Sequence, residues 1–128
     1  MSNKTDCCST HSPTPGAVEL VKSKSCPENT MTDLAAIFKI LGEPVRIKIL
    51  HALSITNLCV CDLSELLEMS HSAVSHQLRI LRTARMVRFE KDGRRAIYRL
   101  DDKHVELIMQ TALAHMLGNG CEALQGDK

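Results

Sequence analysis

The chain has 128 residues, 44% of them hydrophobic, and a formal net charge of +1, which supplies apolar material for one core and hardly for two. Its apolar runs are short and the opening "MSNKTDCCSTHSPTPG" has no leader-like apolar stretch, so membrane spanning and export are not expected and a cytosolic location is. In that compartment the six cysteines, Cys7, Cys8, Cys26, Cys59, Cys61 and Cys121, point to thiols for metal or redox chemistry rather than to disulfides.

Residues 1–16 are rich in Ser, Thr and Pro and read as a mobile tail carrying Cys7 and Cys8. One domain is expected over 17–118, with a second tail over 119–128. "AVELV" from Ala17 predicts a short helical arm. Thr30 or Thr32 is expected to cap a helix through "LAAIFKIL", ended by Gly42. Pro44 suits the first turn of the next helix, where Val45, Ile49, Leu50 and Leu53 repeat at helical spacing. "DLSELLEM" and "HSAVSHQLRILRTA" then give two short helices joined near Met69-Ser70-His71. Leu63, Leu66 and Leu67 form the expected inner face of the first, and Val74, Leu78 and Leu81 that of the second. In "MVRFEKDGRRAIYRL" the period changes to two around Asp92-Gly93, a hairpin signal in which Val87 and Phe89 alternate, followed by Ala96 or Ile97, Tyr98 and Leu100. A last helix of about four turns over "DDKHVELIMQTALAHML" ends at Gly118-Asn119-Gly120.

The fold class is therefore mainly α with a small β-hairpin: a winged helix-turn-helix, in which the second helix enters the major groove and the wing follows the backbone. Charge agrees with this, because residues 71–100 hold eight Arg and Lys against two acids, whereas 101–128 hold two Lys against five acids. Ser72, Ser75, His76, Gln77 and Arg79 are the candidates for reading bases, and Arg82, Lys91, Arg94 and Arg95 for phosphate or minor-groove contact. The bland reading of the same residues is a solvated helix face and a charged turn. With Phe38, Phe89 and Tyr98 as the aromatics and no Trp, duplex DNA is a better partner than single strands.

Ahead of the first short helix stands "NLCVCDL". Alternate residues inside a helix lie about 200° apart, so Cys59 and Cys61 can converge on one ion only at a helix entrance, where the N-terminus also favours a thiolate. Soft ions usually take three or four ligands, and Cu(I) two or three, so Cys7, Cys8 and Cys26 are candidates to complete the set. The plain alternative makes Cys59 and Cys61 small core residues.

The segments "LGEPVRIKIL", "CVCDLSELLEMSHSAVSHQLRILRTARMV" and "KDGRRAIYRL" together resemble the ArsR/SmtB metal-sensing repressors, over roughly residues 30–117. The resemblance implies a dimer that leaves its operator when an inducer metal binds. The "CVC" pair is similar to the CadC-like thiolate-sensing branch, which implies N-terminal cysteines of the other subunit as further ligands. One departure is "ARMV", with Arg85 where an Ala-Gly turn is common in the family. His104 and His115 share a face of the last helix but lie about 16 Å apart along it. An antiparallel partner helix would set Asp102 and His104 of one chain near His115 of the other, like the zinc site of SmtB-like members, although Gly118 stands where that pattern usually continues the ligand set.

The expected function is a homodimeric repressor that binds double-stranded operator DNA without metal and dissociates with Zn(II), Cd(II), Pb(II) or Cu(I), derepressing metal resistance or sequestration genes. The alternatives are a thiol redox sensor on the same fold and a metal-buffering protein with no DNA role. No enzymatic constellation is visible.

Overall fold

The computed structural model describes residues 12–118; Cys7, Cys8, Cys121 and the segment 119–128 lie outside the described residues. The chain divides into two compact units on either side of the Ala35–Ala36 bond. Within the first, α1 (Ala17–Lys24) has no buried residue, and Val18, Leu20 and Val21 are exposed. The next helix, α2 (Glu28–Leu41), begins earlier than the expected Thr caps. The carbonyl of Pro27 accepts from the N–H groups of Thr30 and Met31 and so closes the first turn. Thr32 is already inside the helix, its hydroxyl donating to the Glu28 carbonyl at 3.2 Å.

The second unit runs from the end of α2 through α3 (Pro44–Ile55), α4 (Val60–Leu67), α5 (His71–Thr83), the strands β1 (Val87–Asp92) and β2 (Arg95–Leu100), and α6 (Lys103–Met116). Glu43 caps α3 by accepting from the Arg46 N–H, and Pro44 occupies the first turn, where its missing donor costs nothing. The core is built from Ile49 and Leu50 of α3, Leu63 of α4, Val74, Leu78 and Leu81 of α5, and Val87 of β1, all essentially without solvent contact. Met86, Val105 and Met109 close it. Leu66 departs from the expected inner face of α4 and is 59% exposed. It lines an apolar groove with His51 and Ile55 of α3, Leu58 of the segment that follows, and Leu67, which also packs against the core, while Leu63 is fully buried.

The hairpin has the expected sense with a one-residue shift. Asp92 pairs with Arg95, so the connecting residues are Gly93 and Arg94, and Gly93 takes the positive φ of 68° that a tight hairpin requires. The register sets Val87, Phe89 and Lys91 opposite Leu100, Tyr98 and Ala96, which selects Ala96 over Ile97 for that face. The rings of Phe89 and Tyr98 meet at 5.2 Å. A further bridge joins Leu58 to Tyr98 through reciprocal backbone hydrogen bonds of 3.1 and 2.7 Å. This fastens the segment before α4 to the wing.

Candidate DNA interface and thiol site

The α4–α5 joint is fixed by short-range hydrogen bonds. Glu68 ends α4 in the left-handed region at φ 55°, and the Met69 N–H bonds the Ser64 carbonyl while the Ser64 hydroxyl donates to the Met69 carbonyl. Ser70 then caps α5 by accepting from the Ala73 N–H at 3.1 Å. At 100° per residue, Ser72, Ser75, His76 and Arg79 occupy an arc of about 100°, with Arg82 at its edge, opposite Val74, Leu78 and Leu81. All five polar residues of that arc are exposed.

Gln77 is the exception among the expected base readers. It falls about 100° round the helix from His76 and is only partly exposed, its Oε1 accepting from Arg46 Nε at 2.9 Å. Arg46 Nη1 in turn donates to the Ile40 carbonyl at 3.1 Å. The carboxamide thus ties α5 to α3 and to the end of α2.

Arg82 places its guanidinium 5.0 Å from the centroid of the Phe89 ring, so the end of α5 packs on the wing. At the wing tip Lys91, Arg94 and Arg95 are exposed. Arg99, which sequence reading did not single out, pairs with Glu90 across the hairpin at 3.2 Å. The structure therefore gathers a polar helix arc and a basic turn within one unit, which suits a groove reader with a backbone-following wing.

Cys59 and Cys61 lie at the entrance of α4 as their spacing requires. Cys59 is the N-cap residue, extended at φ −95° and ψ 176°, and is buried; Cys61 is in the first helical turn and exposed. Asp62 Oδ2 accepts from the Cys59 N–H at 3.0 Å and from its thiol at 3.2 Å. These two bonds, backbone first, and the charge of Arg95 hold the Asp62 carboxyl below its ordinary range against a smaller opposing effect of desolvation. The sequence signal for Asp62 was its position three residues after the cap, the spacing of a capping box. Arg95 Nη1 lies 4.0 Å from the Cys59 sulfur.

Among the described residues no three His, Cys, Asp or Glu side chains converge on one point. Two soft donors flank a helix N-terminus, which fits a thiophilic ion, and further ligands have to come from elsewhere. Cys26 is exposed and belongs to the first unit; Cys7 and Cys8 lie outside the described residues.

On α6, Asp102 is the N-cap, its Oδ1 accepting from the Val105 N–H at 3.2 Å while Oδ2 lies 3.4 Å from His104 Nδ1. The Val105 N–H, followed by His104, keeps this carboxyl below its usual range. His104 and His115 are both exposed, on the helix face that also carries Leu107 and Ile108 and away from the buried Val105 and Met109. Gly118 takes φ 62° directly after the Leu117 cap. Among the described residues, which end at Gly118, no His or carboxylate follows His115 to supply the ligand expected at this position.

Residues 43–88 match the family model described as "Bacterial regulatory protein, arsR family". A cadmium resistance transcriptional regulatory protein CadC homolog of Staphylococcus aureus is 36% identical over 99 residues, covering 77% of this chain and 81% of that protein. The chain belongs to the ArsR family. A transcriptional repressor SmtB homolog of Synechocystis sp. is 42% identical over 83 residues, 65% of this chain, which spans 63% of that relative's length. Among solved structures, that of the AntR antimony-specific transcriptional repressor superposes with a TM-score of 0.65 at 28% identity, covering 89% of this chain and 97% of that one.

In the winged helix-turn-helix of this ArsR-family chain, the turn that the sequence marked by Arg85 has a defined geometry. The Arg85 N–H bonds the Arg82 carbonyl at 2.9 Å and the Met86 N–H bonds the Leu81 carbonyl at 2.8 Å, the double closure that ends a helix with a left-handed residue. That residue is Arg85, at φ 62°. An arginine therefore holds, at some steric cost, the turn that glycine would adopt freely. Among the described residues no helix is long and apolar enough to cross a membrane.

Proposed function

We propose that this chain is a homodimeric repressor that holds duplex operator DNA in its metal-free form and releases it when a thiophilic ion is bound. The observation that carries the reading is the placement of Cys59 and Cys61 at the start of α4, the helix that packs on the groove-reading helix α5. Ligands gathered there can bias the reading head directly. The thiol set is Cys59 and Cys61, completed by Cys7, Cys8 or Cys26, and its donors suit Cd(II), Pb(II), Zn(II) or Cu(I).

Ser72, Ser75, His76 and Arg79 face the bases, with Gln77 holding α5 in register, and Arg82, Lys91, Arg94 and Arg95 face phosphate. Exposed Leu107 and Ile108 on the face of α6 that bears His104 and His115 support a partner helix there. A two-fold axis through that contact would bring Asp102 and His104 of one chain toward His115 of the other, a second and harder site that suits Zn(II).

The requirement is a coupling free energy. The ion must bind the low-affinity conformation better, and DNA must weaken ion binding by the same factor. Cys59→Ser and Cys61→Ser are expected to keep operator affinity and to lose the response to Cd(II), read by fluorescence anisotropy of a labelled duplex from the protein's own promoter. Retained response in both variants would remove the thiol assignment.

A further inference from the structure

Arg95 stands at the first residue of β2, on the wing tip, yet its guanidinium turns back toward α4. Nη1 lies 4.0 Å from Cys59 Sγ, and Nη2 lies 4.0 Å from Asp92 Oδ2. Both contacts are long, and the side chain is 60% exposed. The cation is thus loosely held between a buried thiol and solvent. Its neighbours at the tip are different: among the described residues, Lys91 and Arg94 make no ion pair and no hydrogen bond to another side chain. The Leu58–Tyr98 bridge keeps the Cys59 backbone beside β2, so the distance from Arg95 to the sulfur is set by the fold and only the side chain need move.

We propose that Arg95 is the coupling residue between the thiol site and DNA, contacting a phosphate when the thiols are free and being drawn onto the sulfurs when they hold a divalent soft ion. The inference rests on the reading of Cys59 as a ligand and of the wing as a DNA contact. Its physical basis is charge counting. A free thiol is a neutral, weak acceptor. Cysteines that ligate a metal are thiolates, so a divalent ion with three of them carries a net charge of −1, and with four −2. A guanidinium already near one of those sulfurs then has an anionic acceptor that competes with the phosphate. Arg95 cannot serve both at once, and this is the form that negative coupling requires.

The test compares the full-length wild type with Arg95→Gln and Arg95→Lys under reducing conditions. Duplex affinity is measured with and without one equivalent of Cd(II) per subunit. Cd(II) affinity of the DNA-free protein is followed separately by thiolate-to-metal charge-transfer absorption. For Arg95→Gln the expected result is a metal-free duplex affinity lower by about tenfold, with a salt slope reduced by about one, an unchanged duplex affinity of the Cd(II)-loaded protein, and weakened Cd(II) binding without DNA. Arg95→Lys, which keeps the charge, should recover most of the DNA affinity.

An equal loss of duplex affinity with and without Cd(II) would make Arg95 a phosphate contact alone, and no change in either would give it no role; both overturn the inference. A wild type that binds the duplex but shows no cysteine-dependent Cd(II) absorption would instead overturn the thiol reading, and the inference with it. Because Arg95 is exposed, all three proteins should unfold at the same denaturant midpoint, which separates these outcomes from misfolding.

Discussion

Arg85 carries a local conformational cost, and Cys59 is a buried thiol with polar contacts. An L-residue in the left-handed region is disfavoured by roughly 1–2 kcal/mol, partly offset because a glycine there would gain freedom in the unfolded chain. Arg85→Gly is therefore expected to stabilise the protein by about 0.5–1 kcal/mol, seen as a higher urea midpoint at fixed protein concentration. A lower midpoint would mean that the arginine's favourable position at the C-terminal end of α5 outweighs the strain. For Cys59, burial alone would fit a small core residue. The exposed Cys61 two residues on and the polar contacts of the Cys59 sulfur, to Asp62 at 3.2 Å and to Arg95 at 4.0 Å, support the proposed ligand role instead. Leu78, by contrast, has a packing role only. Leu78→Ala should cost about 2–5 kcal/mol, and a smaller loss would show that the α5 face collapses over the gap.

At the scale of elements, much of the fold was legible because the signals were redundant. The hairpin announced itself by the change of period and by Gly93, and α3 by Pro44 and the spacing of Ile49, Leu50 and Leu53. What sequence did not yield were features set by partners distant in the chain. Leu66 satisfies the helical period of α4 and is nevertheless exposed, because the neighbouring α3 leaves an open apolar groove there. Gln77 was grouped with the base readers by type, while its angular position already placed it off their arc, and its bond to Arg46 spans 31 residues of sequence. The start of α2 was missed because the Pro27 carbonyl, not a Thr side chain, closes its first turn. The Arg46 contacts give a direct test. Arg46→Ala removes the hydrogen bonds to Gln77 and to the Ile40 carbonyl and should destabilise the fold by about 1–3 kcal/mol, with a loss of operator affinity that Gln77→Ala shares. Additive effects of the two substitutions would show that they do not act through one contact.

Over the whole molecule, the helix-turn-helix, the wing and the Cys59–Cys61 pair lie within one small unit, and the proposed dimer would let two reading helices address one operator. On that proposal, half-sites one helical turn apart would be read by two copies of α5 held at fixed separation. The exposed Leu107 and Ile108 beside His104 and His115 support the proposed contact on α6. Sedimentation should give a mass near twice the 14.2 kDa of the chain. Ile108→Asp, which would bury a charge in that contact, should shift the protein toward monomer and lower operator affinity at least tenfold at the same concentration. A monomeric wild type that still binds DNA tightly would remove α6 from the reading. The claim on which the rest depends is the link between the thiols and the reading head. It is tested most directly by the affinity of the reduced, full-length protein for a duplex from its own promoter, with and without one equivalent of Cd(II) per subunit. A loss of duplex affinity on the order of 100-fold with the ion is the result expected of a coupling near 3 kcal/mol; tight binding indifferent to Cd(II) would contradict it.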